Sequence, residues 1–239
     1  MVVIKEQINR LQQLIDASNS IVAITGAGIS VSAGINDMEH LNFASTFQMM
    51  SETILKTSQK HYYKIVRKGF LDATFIDGPK ISHKKLAELE QMGKLRGIIT
   101  TNIDCMHTVA GNQNVAEIQG SFRINECLKC GKEYIDVSLW NKGNVPKCTQ
   151  CGGVLSSFPV RSHVGIYQPA AQQARQWLMA ADLVIVIGSK GMYGSVYFNH
   201  LNRNTKLVQI NPKQTVFDGM ATLNIKTAAD KVMTQIIVT

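Results

Sequence analysis

Four of the five cysteines in this 239-residue chain fall as Cys127-x2-Cys130 and Cys148-x2-Cys151, with seventeen residues between the pairs. Two-residue spacing lets one tight turn aim both sulfurs at a single ion, and the separation lies in the range of four-thiolate zinc sites. Gly131 and Gly152 follow the pairs, and glycine there frees the backbone to fold its amides toward the thiolates. Four thiolates close a tetrahedral shell, so one structural Zn2+ is expected and no metal-bound water. A disulfide framework is the competing reading, but an intracellular chain keeps such thiols reduced. Cys105 stands apart beside Asp104 and reads as a small packed side chain rather than a nucleophile.

A second group with chemical content is Thr25-Gly26-Ala27-Gly28-Ile29-Ser30, which follows the apolar run from Ile21. Glycines 26 and 28 permit a tight turn and close approach of backbone to a pyrophosphate, with a helix beginning just after to point amides at it. The third glycine of the usual dinucleotide fingerprint would fall at Val31. No acidic residue closes a clear second strand about twenty residues on. From spacing alone, a phosphate cradle and a plain turn are equal readings.

The elements that must position these groups alternate along the chain. Ile4, Ile8, Leu11 and Ile15 recur near a period of 3.6, predicting a helix from Ile4 to Ala17, and Ile21 to Thr25 predicts a short buried strand. A helix follows at Ser82 to Met92, strands at Gly97 to Thr100, Asp182 to Gly188 and Leu207 to Asn211, and a last helix from Ala228 to Ile237. Continuously apolar strands alternating with helices imply an α/β fold with a Rossmann-like parallel sheet covered on both faces. The predicted division is a core of residues 1–36, 76–121 and 160–239, a helical module at 37–75 and a zinc-ribbon module at 122–159, the two insertions forming a smaller composite unit.

Hydrophobic content of 45% and charged content of 18% describe an ordinary globular chain. The formal net charge of +8 calls for an acidic partner. The densest basic group is Lys80, His83, Lys84 and Lys85, with no interleaved aromatics. Nucleic acid is therefore the weaker reading, and an acidic protein or nucleotide phosphates serve as well. The run from Met1 to Asn19 carries Lys5, Glu6, Arg10 and Asp16 and so has no apolar signal centre. No stretch approaches the ~18 apolar residues of a membrane helix. A cytoplasmic protein with no membrane partner is the expectation.

Gly26-Ala27-Gly28-Ile29-Ser30, then Gly34-Ile35 and Asp37, resemble the cofactor loop of the sirtuins, NAD-dependent protein-lysine deacylases. Thr101-Asn102-Ile103-Asp104 with His107, Ala110 and Gly111 resembles the next signature of that family. The cysteine pairs come where sirtuins carry their zinc module, and Gly188-Ser189 and Ile210-Asn211 are similar to segments that hold the adenosine half of NAD. The resemblance covers nearly the whole chain in order. It implies NAD as co-substrate. Ala27, Ile35, Asn102, Ile103 and Asp104 would surround the nicotinamide and its ribose; Gly26, Gly28, Ser30, Asp37, Gly188, Ser189 and Asn211 would serve the rest of the cofactor site.

The departures lie on the reacting side. In Glu117-Ile118-Gln119-Gly120-Ser121 the family has histidine where this chain has Gln119. The family's Ser-Gly-Ile-Pro-Asp-Phe-Arg appears as Ala33-Gly34-Ile35-Asn36-Asp37-Met38-Glu39, and Thr101 stands where glutamine is usual. The acyl-lysine segment Arg-Pro-x-Val-Val-x-Phe-Gly-Glu becomes Arg161-Ser162-His163-Val164-Gly165-Ile166-Tyr167-Gln168-Pro169. Tyr167 is expected to replace the aromatic wall, and Pro169 to remove an amide donor from a substrate-pairing edge strand.

In a deacylating sirtuin, as the family implies, nicotinamide leaves first and the histidine later takes a proton from a ribose hydroxyl. An amide cannot do so near neutral pH, and general-base help is worth about 10²–10⁴-fold. Direct transfer of ADP-ribose to a side chain needs only the first displacement. The chain therefore resembles the microbial macrodomain-linked sirtuins, which lack the histidine and mono-ADP-ribosylate a lipoyl-carrier protein, although its cofactor loop differs from theirs. The first expectation is mono-ADP-ribosylation of an acidic protein, with Asn102, Asp104 and Gln119 as the catalytic group and a macrodomain hydrolase as functional partner. A weak or acyl-specific deacylase that recruits another base, with His107 nearest in sequence, and an inactive NAD-sensing module are the alternatives.

Overall fold

The computed structural model describes residues 2–33, 43–163, 165–191 and 201–238. Helix α1 (Val2–Asp16) buries Ile8, Leu11, Leu14 and Ile15 along one stripe, and the chain then enters β1 (Ile21–Thr25), all of whose residues are buried. Helices α2 (Phe43–Met49), α3 (Glu52–Thr57) and α4 (Gln59–Val66) follow, and α4 runs on into two wide π-type turns, Arg67–Leu71 and Ala73–Asp77. Next come α5 (Ile81–Gln91), β2 (Leu95–Thr100), α6 (Met106–Ala110) and β3 (Val115–Glu117). Strands β4 (Ile124–Cys127), β5 (Glu133–Ile135) and β6 (Leu155–Ser157) make a separate antiparallel sheet in the order β5-β4-β6. After the single turn α7 (Phe158–Arg161) come α8 (Gln168–Ala180), β7 (Leu183–Ile187), β8 (Lys206–Ile210), β9 (Leu223–Ile225) and α9 (Ala229–Met233).

The main sheet runs β3-β2-β1-β7-β8-β9 and is parallel throughout. From β1 the chain steps outward one way to β2 and β3, then returns past β1 to β7 and steps the other way, so β1 and β7 flank the point where strand order reverses. Ligands of such sheets bind beyond the carboxyl ends of the strands at that point. Each face buries its own apolar layer. One carries α1, α5 and α9 through Leu11, Leu86 and Val232; the other carries α8 through Ala174, Trp177 and Leu178. Gly97 in β2 makes room for Trp177, whose ring carbon would lie 2.6 Å from an added Cβ. Burying side chains of this size stabilises by about 1.5–3 kcal/mol each.

A third core joins the helices after β1 to the small sheet. Tyr62, Val66, Phe70 and Leu71 pack with Phe122, Trp140, Val145 and Val160. Phe122 meets Phe70 and Trp140 edge-on at 4.7 and 5.1 Å between ring centres. Tyr63 donates its hydroxyl proton to the Trp140 carbonyl at 2.8 Å, and Trp140 Nε1 donates to Asn125 Oδ1 at 2.9 Å. Segments far apart in sequence thus share one interior, so neither could bury its apolar face alone.

The α/β fold with a parallel sheet is as expected. Strand β1 matches its predicted span, and β2, β7 and β8 shift by a residue or two. The last helix is shorter, at Ala229–Met233. Helix α8 and the three-residue strands β3 and β9 were not anticipated. Pro169 corrects a reading: it lies in the first turn of α8 and not in an edge strand. The first amides of a helix have no internal partner, so proline there removes nothing.

Candidate functional site

The pocket at the switch point is built on glycines. A Cβ at Gly26 would lie 2.8 Å from Ser189 Cα, and one at Gly28 would lie 2.8 Å from Gly188 Cα. Gly188 takes φ +61, and its Cβ would meet Ile29 N at 2.4 Å. Without side chains the loops after β1 and β7 touch backbone to backbone: Gly26 N donates to Ile187 O at 3.2 Å and Gly28 N to Gly188 O at 2.9 Å. Two single turns, Ala27–Ile29 and Val31–Ala33, stand where a helix was expected. Val31 and Ser32 are weak helix formers.

The cavity above these loops holds about 440 Å3. Gly26, Ala27 and Gly28 form one wall, Thr101, Asn102 and Gln119 another, and Gly188, Ser189 and Asn211 a third. Of the predicted residues, Ser30, Ile103 and Asp104 do not line it, and Ile35 and Asp37, with Met38 and Glu39, lie outside the described residues. Sequence reading missed Ile29, Ser32, Lys190, Lys213 and Asp230, which also line the cavity. Lys190 directly follows Gly188-Ser189 and Lys213 comes two residues after Asn211, a signal that was there to be used. Nothing around Asp230 marked it. Burial alone would raise its carboxyl, but hydrogen bonds from Ser32 and Ser82 and the nearby His83 outweigh that and hold it below the usual range.

Behind the wall, Ser30 is the hub of a buried network. Its Oγ donates to Asp104 Oδ2 at 2.8 Å and accepts from Asn102 Nδ2 at 3.2 Å, with His83 Nε2 at 3.3 Å. A hydroxyl has one proton to give and two lone pairs to offer. The proton goes to the carboxylate, so His83 donates from Nε2. Asn102 Nδ2 also reaches Gly26 O at 3.2 Å, leaving Oδ1 as the acceptor of that amide. Asp104 Oδ1 accepts from Met106 N at 2.9 Å and opens α6, with Cys105 in the left-handed region at φ +62. Thr74 Oγ1, in the second wide turn, lies 3.0 Å from both Phe70 O and Asp104 O, so its one proton is shared between the two carbonyls. Turns of that width recur at functional sites.

His107 packs against His83 with 5.0 Å between ring centres, and its Nε2 lies 2.9 Å from Thr25 Oγ1. Burial lowers the pKa of both rings, His107 well below its ordinary value, with His83 adding to the effect there. Asp104 and Asp230 partly oppose the shift of His83. Two neutral imidazoles behind the pocket follow from this. Among the described residues no histidine lines the cavity.

Gln119 reaches the cavity because the chain turns sharply after it. Gly120 takes φ +63 beneath the Phe158 ring, where a Cβ would lie 2.4 Å from a ring carbon. Glu117, two residues earlier, is anchored to Arg123 Nε at 2.8 Å. The Phe158 ring also meets Tyr167 edge-on at 4.8 Å, so an aromatic pair borders the segment compared with the acyl-lysine cleft. Val164 of that segment lies outside the described residues.

The sulfurs of Cys127, Cys130, Cys148 and Cys151 lie within 4.8 Å of one another. Cys127 Sγ is 3.5 Å from Cys151 Sγ, and Cys130 Sγ is 3.7 Å from Cys148 Sγ. Tetrahedral zinc with bonds of about 2.3 Å separates its sulfurs by about 3.8 Å, so the four fit one ion. Gly131 and Gly152 take φ +72 and +70, and Lys129 N points at Cys127 Sγ at 3.4 Å. Cys105 is buried elsewhere, and burial pushes its thiol pKa up, which leaves it packed and unreactive.

Residues 26–193 match the sequence model of the Sir2 family. The "NAD-dependent protein deacetylase" of Clostridium acetobutylicum is 31% identical over 245 aligned positions, spanning 97% of this chain and 98% of that one. Its namesake from Clostridium perfringens is 32% identical, spanning 97% and 99%. Among solved structures, one described as "The Structural basis of Sirtuin Substrate Affinity" superposes with a TM-score of 0.79 at 27% identity, over 95% of this chain and 96% of that one. Another, "Sir2-p53 peptide-NAD+", gives 0.73 at 28% identity over the same shares. A glycine-built cavity at the switch point, four clustered thiolates and matches over nearly the full length agree: the chain belongs to the Sir2 family, the sirtuins, NAD-dependent enzymes that modify proteins.

Proposed function

We propose that this sirtuin is a protein mono-ADP-ribosyltransferase. The observation that carries the reading is Gln119 in the pocket wall beside Asn102, where a deacylating member would have its base. In the transfer, the bond from ribose C1′ to the nicotinamide nitrogen breaks with its electrons leaving on nicotinamide. An oxygen or nitrogen of the acceptor side chain bonds to C1′, and its proton passes to water. Asn102, held by Gly26 O and Ser30 Oγ, offers its Oδ1 to a ribose hydroxyl or to the incoming nucleophile. Asp104 fixes that arrangement through Ser30, and Gln119 hydrogen-bonds the ribose hydroxyls without accepting a proton. Ile35 is assigned to the nicotinamide side, and Asp37 to the cofactor loop, by family likeness. The acceptor is an acidic carrier protein of the lipoyl type, and a macrodomain hydrolase would reverse the modification.

The relatives named deacetylases favour a second reading, lysine deacylation. It requires another proton acceptor. His107 is a poor one, since Thr25 engages its Nε2 and burial keeps it away from the cavity. NAD labelled in the ADP-ribose portion, incubated with the protein, an acetyl-lysine peptide and acidic carrier proteins, separates the readings. Label on protein is the expected result. Robust release of O-acyl-ADP-ribose with no labelled protein would overturn the transferase, and cofactor binding without turnover would leave a sensor.

A further inference from the structure

Far in sequence from the first pocket, and sharing no lining residue with it, a depression of about 750 Å3 opens between α4 and the loop at 143–147. Lys60, Lys64 and Lys68 line one side, Lys147 the other, and Arg67 stands with them. Lysines repeating every four residues form one row along the helical segment, about 6 Å apart along its axis. All four lysines are exposed. The ion pairs nearby join Lys56 to Glu52, and Arg67 to Asp72 at 2.5 Å. Among the described residues Asp72 is the one carboxylate on the lining, and Arg67 occupies it. Lys147 is held by a neutral partner, Gln59 Oε1, at 2.6 Å. Among the described residues none of Lys60, Lys64 and Lys68 has an ion pair.

Like charges four residues apart weaken a helix, so fold stability does not explain this row. The groove is firmly built: Tyr63, on its lining, donates to Trp140 O at 2.8 Å and accepts from Gly143 N at 3.1 Å, tying the two sides together.

We infer that this groove docks an acidic, extended segment of a protein partner. Alternate side chains of an extended chain recur about 6.6–6.8 Å apart, close to the step between successive lysines. Ammonium groups are compact point charges suited to single carboxylates, whereas paired contacts to phosphate favour guanidinium. Among the described residues the only aromatic ring on the lining, Tyr63, is buried and offers no face for a base to stack on. Both features select a protein over a nucleic acid. The inference rests on the reading that this sirtuin acts on proteins, and not on which group it transfers.

The test is fluorescence anisotropy of a labelled peptide alternating glutamate and serine, titrated with the full chain without NAD at low and physiological salt. Lys64→Glu/Lys68→Glu is expected to weaken binding by about tenfold or more, and Lys5→Glu/Arg10→Glu, the same charge change on α1, by less than about twofold. Lys64→Gln/Lys68→Gln, a milder pair that spares the fold, should fall between. Equal loss from both reversals, or no binding by the unaltered chain at low salt, overturns the inference. So does tighter binding of a thymidine oligonucleotide of equal charge through the same lysines. Nicotinamide release measured in parallel keeps the tests apart: groove-dependent peptide binding without turnover would sink the proposed transferase and leave the groove standing.

Discussion

Ser30 Oγ and Asp104 Oδ2 lie 2.8 Å apart, so the loop after β1 and the loop after β2 are tied together behind the pocket rather than within it. Asn102, which does line the pocket, hangs from the same hydroxyl. Its position therefore depends on a residue that touches nothing in the cavity.

Ser30→Ala removes a donor to Asp104 and an acceptor for Asn102 and His83 while adding no bulk. The expected cost is about 1–3 kcal/mol from buried groups left without partners. Nicotinamide release should fall by roughly tenfold through misplacement of Asn102. Urea unfolding and a nicotinamide assay measure the two separately.

Gln119→His places a titratable base in the pocket wall. If the missing base alone withholds deacylation, acetyl-peptide turnover should rise by at least about tenfold, with a pH dependence near the ordinary histidine range. No gain, with NAD binding intact, would place the block in the cleft segment that carries Tyr167 and Gly165.

Gly188→Ala sets a methyl group 2.4 Å from Ile29 N at a residue with φ +61. The left-handed backbone alone costs a side chain about 1–2 kcal/mol, and the contact forces the β1 and β7 loops apart. A lower urea midpoint with an unchanged slope and loss of NAD binding by calorimetry are expected.

Metal removal should unfold the small module and spare the main sheet. Trp140 is fully buried in the core that the small sheet shares with α4, and Leu155 packs beside the sulfurs of Cys127 and Cys148. A chelator or Cys148→Ser should shift Trp140 emission to the red, measured in a Trp177→Phe background. Zinc content should fall from one ion per chain to none. Far-ultraviolet circular dichroism should retain the sheet signal.

Acid should loosen the fold through two buried histidines. His83 and His107 are held below their unfolded value of 6.5 by burial. The unfolded chain therefore binds more protons as pH falls through 6.5, and stability drops by about 1.4 kcal/mol per pH unit for each ring until the folded value is reached. That stability is fully present above the unfolded value. His107→Gln should flatten the slope between pH 6.5 and 5, read from urea midpoints.

How much of this could be read from the chain divides along the range of the forces. The apolar run of β1, the glycines after it and the two cysteine pairs are local patterns in which residue type alone carries the meaning, so strand, tight turn and thiolate cluster were legible. Gln119 was legible too, as an amide where the family has a base. The strands β3 and β9 are three residues each, too short to show a period, and exist because a neighbour supplies their hydrogen bonds. Lys80, His83, Lys84 and Lys85 read as one basic group, yet His83 turns inward to Ser30. The sparser row from Lys60 to Lys68 gained its meaning only when the loop at Lys147 closed against it. By itself the sequence determined which groups are present and what each can do as a proton donor, thiolate or cation. Tertiary structure decided which of them share a cavity and which, like Ser30 and Asp104, act from behind it, because burial and hydrogen-bond partners come from residues distant in the chain.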